Sequence, residues 1–369
     1  MNETKEKIAF LESLRGIAAL SVVIFHFKIG SILNNGFTDR GFLMVNFFFL
    51  LSGFVIALNY SEKIKDFFTL KNYMIKRFFR LYPLHIFTLF MWLGIESSKY
   101  LFFINGLMDS TEDNIPFSKN NLSTFLMHLF LVQNIFTDEL TWNGPSWSIS
   151  VEFYTYLFFG MFLIFIKFFN DEGKKLIVLT IIFVVFISFL LHLISPTKML
   201  LECIFGFFLG ALLYYLPKYD SYLFTSNITS YLLTLLSILA TIYLYEHFSV
   251  VSIIYFINIY YLLSINRFTH KKNYNFVLGI LNLRPLIFLG TISYGVYLVH
   301  SPILGATIQV LKFFTEVTMT SDGYHVIKGF SLIHLEILMF SILGIVILFS
   351  YLCYKFIEIP FLNFQKKII

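Results

Sequence analysis

The sequence predicts an all-α bundle of about ten transmembrane helices, and three observations predict it. Only 13% of the 369 residues are charged, 57% are hydrophobic, and the mean hydropathy is +0.76. A soluble domain carries about 25% charged residues. The deficit is spread along the chain in repeated apolar blocks of about 20 residues, the length that crosses a hydrocarbon core. The 48 phenylalanines suit lipid-facing helices better than a compact soluble core. A multi-pass protein of the cell inner (plasma) membrane is expected, with the lipid bilayer as its solvent and no nucleic-acid partner.

The blocks place spans at roughly 8–28, 42–60, 82–104, 148–168, 176–194, 199–216, 229–247, 250–265, 286–311 and 333–356. The first contains Glu12 and Arg15 and has no small-residue cleavage site after it, so it is expected to remain as a helix rather than be removed. The segment 122–136 is apolar but short and carries His128, which fits a re-entrant or interfacial helix better than a further span. Cys203 and Cys353 fall in different blocks and suggest neither a disulfide framework nor a metal site. With no internal repeat and no appended soluble domain, 1–369 reads as a single membrane domain.

Orientation comes from Lys and Arg placement. With the N-terminus cytoplasmic, these spans put 19 Lys and Arg on the inner side, against 7 on the outer. That is the asymmetry expected of cytoplasmic segments. Both termini are therefore expected inside.

Ionisable groups in hydrocarbon are costly, so each needs a partner or a function. In LESLRGIAALSVVIFHF, Arg15 and His26 are eleven residues apart. That is about three turns, so they share one helix face about 16 Å apart, Arg15 nearer the cytoplasm. In KRFFRLYP, Arg77 and Arg80 share a face at the start of the third span. Two guanidinium forks there can hold phosphate groups. In WNGPSWSISVEF, Gly144-Pro145 breaks the chain, Ser146 or Ser148 can cap the fourth span, and Glu152 comes within about a turn, towards the side of His26. A carboxylate there can orient an imidazole acting as a base. Each has a plain structural reading: a snorkelling Arg15, a positive-inside anchor, a helix-start acid. SYGVYLVHSP puts His300 and Pro302 mid-span, and Glu358 in EIPF reads as an anchor at the end of the last span.

Taken together, LESLRGIAALSVVIFHF, FFFLLSGFVIAL, RFFRLYP, NGPSWSISVEFYTY, GTISYGVYLVHSPI and IEIPF resemble, in order and spacing from about residue 8 to 361, the acyltransferase-3 family of membrane acyltransferases. The resemblance implies a ten-helix domain that transfers an acyl group from acyl-CoA, most often acetyl-CoA, to a carbohydrate, peptidoglycan or lipid acceptor. No bound cofactor is expected, since acyl-CoA is a co-substrate. The family's first-helix motif falls on Arg15 and His26, its paired arginines on Arg77 and Arg80, and its tryptophan–serine–glutamate motif on Trp147, Ser148 and Glu152. Position 12 is Glu where the family more often has Asp. Some relatives carry a C-terminal soluble domain that takes part in transfer. The sequence shows none, so an external second step is expected to need a separate protein.

The expected mechanism is a transmembrane relay. CoA docks through Arg77, Arg80 and Arg15. His26 deprotonates an acceptor hydroxyl, or takes the acyl group itself, and Glu152 orients the imidazole. Ser52, Trp147, Ser148, Tyr294 and His300 are candidate pocket residues, and no metal ligands are expected. The alternative is a transporter or flippase for a lipid-linked sugar or acyl group, which would share the spans and buried charges but often shows matching internal repeats. For topology, reporters placed after residue 369 and within 61–76 are expected to read cytoplasmic, and one within 110–120 external. Finding 61–76 and 110–120 on one side of the membrane would break the relay.

Overall fold

The computed structural model describes residues 8–106, 115–135, 137–169, 174–195, 198–216, 227–268 and 275–368. Among these, eight helical segments are long and apolar enough to cross a membrane. In chain order the helices begin with α1 (Ala9–His26), α2 (Met44–Tyr60), α3 (Phe67–Ile104), α4 (Leu122–Leu129) and α5 (Trp147–Phe169). They continue with α6 (Lys174–Ile194), α7 (Met199–Tyr215), α8 (Asn227–Tyr243), α9 (Phe248–Phe268) and α10 (Phe276–Leu281), then α11 (Arg284–Thr291), α12 (Ser293–Phe314), α13 (Leu332–Cys353) and α14 (Ile359–Ile368). Helices α7 and α8 have 17 residues each, about 25 Å, at the short end for a span. They stand where spans 199–216 and 229–247 are expected. The expected inner cations Lys5, Lys7, Lys218, Lys271 and Lys272 lie outside the described residues.

Three spans differ from expectation, each for a readable reason. The expected span 82–104 is only the second part of α3, whose 38 residues reach about 57 Å. Its start is set by Asp66, whose side chain accepts from the Thr69 N–H in a capping box. Pro83 sits inside the helix without ending it. The span 286–311 is broken at Ile292 into α11 and α12. The last span continues from α13 through a π-helical turn, Tyr354–Glu358, directly into α14. Pro360 has no N–H to give, and its ring crowds the carbonyl four residues back, which widens the helix just ahead of it.

The short segment after α3 forms α4, eight residues capped by Asn121 and Thr124. It is tied down by buried polar groups. His85 Nε2 bonds the His128 carbonyl at 2.9 Å, while the His128 ring meets Ser146 Oγ at 3.2 Å and Thr141 Oγ1 at 3.0 Å. Asn143 donates to Thr88 Oγ1 and to the Leu298 carbonyl. The break at Gly144-Pro145 is thereby fixed against α3 and α12. A two-stranded hairpin, β1 (Val317–Met319) against β2 (His325–Ile327), crosses the His26 end of α1, where the His325 N–H donates to the Lys28 carbonyl at 2.7 Å.

Helix α2 is the centre of the bundle. In its span 72% of residues are buried, against 11% in α6, which faces outward. Helices α2 and α7 approach so closely that a Cβ on Gly53 would fall 1.8 Å from the Phe207 carbonyl oxygen, and one on Gly210 would fall 1.9 Å from that of Leu50. Small residues permit backbone contact where lipid supplies no hydrophobic drive. Gly53→Val is therefore expected to separate α2 from α7 and abolish a monodisperse peak in detergent size-exclusion chromatography. Gly344→Ala, where nothing lies within 4 Å of an added Cβ, is expected to elute as the unmodified protein does.

Candidate active site

A cavity of about 140 Å³ opens between α1, α2, α3, α5 and α12. The three arginines singled out in the sequence, Arg15, Arg77 and Arg80, all line it, from two different helices. Ser52, Ser148, Glu152 and Tyr294 line it as well. Five segments far apart in the chain thus converge on one space. Trp147 and His300 do not line it. Trp147 packs edge-on against Phe49, ring centres 5.7 Å apart, and His300 sits against His26.

Each guanidinium is accommodated differently. Arg15 pairs with Glu12 one turn away at 3.8 Å. Arg80 pairs with the buried Glu358 carboxylate and stacks on the Tyr294 ring at 5.3 Å. Tyr294 is held in turn by its hydroxyl, which donates to the Leu81 carbonyl. Arg77 has no carboxylate partner among the described residues. It donates to the Tyr60 hydroxyl at 3.0 Å and sits within about 6 Å of the rings of Tyr60, Tyr73 and Tyr156. Aromatic faces attract a cation but do not neutralise it. Among the described residues, the cavity therefore holds one guanidinium with no carboxylate paired to it.

Glu152 does not meet His26. Its Oε1 accepts from Ser52 Oγ and from the Tyr156 hydroxyl, each at 2.5 Å. The expected Glu152–His26 pairing is thus not formed. Depth along α5 is readable from sequence, but the face that α5 turns is not, and it turns Glu152 towards α2 and the arginine cavity. Among the described residues, no group of three His, Cys, Asp or Glu is placed to hold a metal ion.

His26, the last residue of α1, instead meets His300 of α12. Nδ1 of His26 lies 2.9 Å from the Val22 carbonyl and 3.3 Å from Nε2 of His300, and Nδ1 of His300 lies 3.2 Å from the Val296 carbonyl. Carbonyl oxygens only accept, so each Nδ1 carries the proton. Nε2 of His300 is then an acceptor, shared with Val22 for the His26 proton. The remaining nitrogen, His26 Nε2, has no hydrogen-bond partner among the described residues, and in the neutral ring it carries a lone pair. His300 is fully buried, whereas His26 is exposed. One turn earlier on α12, Tyr297 lines the cavity, with its ring centre 6.1 Å from that of His300. Its hydroxyl donates to the Pro145 carbonyl and accepts from Ser148 Oγ. The imidazole pair and the arginine cavity are thus joined through one turn of α12.

Around His26 the rim is aromatic and charged. Phe25 meets the His26 ring edge-on at 4.9 Å, and Lys28 Nζ lies over the rings of Phe25 and Tyr324. The Tyr324 hydroxyl donates to Asp39 at 2.8 Å. Burial and that bond push it up to about 12, so it stays protonated at neutral pH and keeps donating.

The sequence marks Glu358 only as an anchor and does not show it as the partner of Arg80, nor His300 as the partner of His26, nor the tyrosines around Arg77. Their signals were weak but present. Glu358 stands two residues ahead of a proline, Tyr156 comes four residues after Glu152, and Tyr297 precedes His300 by three.

The chain matches the family described as an acyltransferase domain (Acyl_transf_3) over residues 8–355. It is 24% identical over 334 residues to the peptidoglycan O-acetyltransferase OatA of Listeria monocytogenes, covering 84% of this chain and 51% of that one. It is 25% identical over 363 residues to the putative peptidoglycan O-acetyltransferase YrhL of Bacillus subtilis, covering 86% and 54% respectively. A shorter similarity, 30% over 167 residues, covers 42% of this chain and 39% of the acyltransferase MdmB of Streptomyces mycarofaciens. The chain spans about half the length of the two peptidoglycan O-acetyltransferases. No solved structure matches it significantly. With Arg15, Arg77, Arg80, Ser148 and Glu152 lining one cavity and the match running nearly end to end, this multi-pass membrane chain belongs to the acyltransferase-3 family.

Proposed function

We propose that the protein is a membrane O-acyltransferase that moves an acyl group, in the first instance acetyl, from acyl-CoA to a hydroxyl of a carbohydrate-like acceptor such as a cell-surface polysaccharide, peptidoglycan or glycolipid. The observation that carries this reading is the convergence of Arg15, Arg77 and Arg80 on one cavity in which Arg77 lacks a carboxylate partner among the described residues. A buried charge without a partner is costly, and an anionic ligand group removes the cost. The phosphates of CoA are such groups, and planar guanidinium forks match them. Inner-membrane insertion with the arginine end facing the cytoplasm, where acyl-CoA is found, belongs to the same proposal.

The thioester lies at the far end of an extended arm from the phosphates. Arg15 and His26 stand about 16 Å apart on α1, so a donor anchored among the arginines can direct its thioester towards the imidazole pair. His26 Nε2 takes the proton of the acceptor hydroxyl as that oxygen attacks the thioester carbonyl. The C–O ester bond forms, the C–S bond breaks, and the proton leaves with the CoA sulfur. His300 orients His26 and accepts from its Nδ1–H, the part first expected of Glu152. Glu152, with Ser52 and Tyr156, forms a polar wall of the donor cavity.

The direct test is transfer of label from labelled acetyl-CoA to a glycan acceptor by the purified protein. No transfer to any glycan, with active substrate transport instead, would refute the proposal. Within it, Arg77→Gln is expected to raise KM for acyl-CoA roughly 10- to 100-fold, as for loss of a charge-assisted contact, with kcat little changed. An unchanged KM would leave Arg77 a structural residue only.

His26→Ala is expected to lower kcat by roughly 100- to 10,000-fold, the range for removing a general base, while acyl-CoA binding persists. His300→Phe keeps the ring shape but removes the acceptor, and a loss on the order of 10-fold in kcat is expected. Near-normal transfer by correctly inserted His26→Ala protein would overturn the mechanism.

A further inference from the structure

Glu358 lies behind Arg80 rather than in the cavity. In their ion pair the Arg80 side chain is 25% exposed and that of Glu358 only 2%. Arg80 lines the cavity and Glu358 does not. The carboxylate is therefore not where a donor phosphate would enter, and it can hold the guanidinium without competing for the face presented to the ligand. The Tyr294 ring at 5.3 Å limits Arg80 from a second direction. An arginine has five donors in a rigid fork, so one used on Glu358 leaves others for the cavity.

What brings Glu358 to this place is the helix distortion. It is the last residue of the π-helical turn Tyr354–Glu358, with Pro360 two residues on. A π-turn inserts one extra residue per turn and rotates the remainder of the helix, and such turns concentrate at functional sites. In an undistorted helix the residues after Cys353 would be rotated relative to α3. The IEIPF segment thus does more than end the last span.

We propose that Glu358 is a positioning residue for acyl-donor binding: held by the π-turn ahead of Pro360, it fixes the Arg80 fork towards the arginine cavity. The inference rests on the reading of that cavity as the acyl-CoA site and adds the residue that preorganises it. A fork already held in place loses less freedom when a phosphate arrives, so the benefit appears as affinity for the donor. Such support acts alike on bound substrate and transition state, and therefore shows in KM rather than kcat.

The test is steady-state kinetics of the intact chain with acetyl-CoA. Glu358→Gln keeps size and an acceptor oxygen but loses the charge, and a KM for acetyl-CoA raised about 10-fold with kcat within about 2-fold is expected. Added to Arg80→Gln, the same change is expected to raise KM by less than about 2-fold further, because its effect passes through Arg80. Pro360→Ala, which removes the cause of the π-turn, is expected to raise KM in the same direction without touching either charge. Glu358→Asp is expected to recover part of the loss.

An unchanged KM in Glu358→Gln protein of reduced thermal stability would make the pair structural only and overturn the inference. A lowered KM would make Glu358 a competitor of the donor and overturn it equally. If Glu358→Gln itself does not fold, an unaltered KM in Pro360→Ala overturns it. Failure of the donor-site reading is separately visible, since Arg77→Gln would then leave KM unaffected as well.

Discussion

A guanidinium in a hydrocarbon environment cannot be left bare, and the architecture of this protein is arranged around three of them. Arg15, Arg77 and Arg80 converge on one cavity from α1 and α3. Each has a different arrangement: an acid one turn away for Arg15, a carboxylate from the far end of the chain for Arg80, and aromatic faces with a hydroxyl for Arg77. Meeting the needs of Arg77 and Arg80 brings α2, α3, α5, α12 and the α13–α14 junction together. Apolar surface alone would not select that set of neighbours, because lipid tails satisfy apolar faces as well as another helix does. The charges therefore do much of the work of specifying which helices meet.

Close backbone approach supplies the rest. Gly53 and Gly210 let α2 and α7 touch, and a Cβ on Gly290 would fall 1.9 Å from the Glu12 carbonyl oxygen, so α11 lies directly against α1. The second contact matters for the site. It fixes the turn of α1 that carries Glu12 and Arg15, and the rigid helix then carries that placement to His26, eleven residues on from Arg15. On the facing side α12 does the same between Tyr294, Tyr297 and His300. Two helices thus act as parallel rulers between an arginine cluster and an imidazole pair.

The site is divided between its ends. At one end are cations and tyrosine hydroxyls, suited to holding an anion by charge and hydrogen bonds. At the other, two imidazoles are held by helix carbonyls, and Nε2 of the exposed ring has no hydrogen-bond partner among the described residues. A carboxylate beside His26 would have stabilised its protonated form. A buried histidine in that position accepts a hydrogen bond without adding charge. In the arginine cavity, the Glu152 carboxylate accepts instead from two hydroxyls, those of Ser52 and Tyr156.

Much of this protein was legible in its sequence. Apolar block length marked the spans, because a bilayer has one thickness. The spacing of Arg15 and His26 put them on one helix face, and that of Arg77 and Arg80 did the same, because helical periodicity is local. The six motifs in order pointed to the family. Other features were open only to the tertiary structure. Asp66 began α3 well before its apolar part, showing that hydropathy locates the membrane and not the helix end. The rotation of α5 decided that Glu152 faces Ser52 and not His26, and the packing of α12 on α1 made His300 the partner. Glu358 reached Arg80 across 278 positions of sequence, through a π-turn that no periodicity announces. Local chemistry sets which residues share a helix face. Which face meets which neighbour depends on contacts between helices distant in the chain, and those exist only once the bundle has formed.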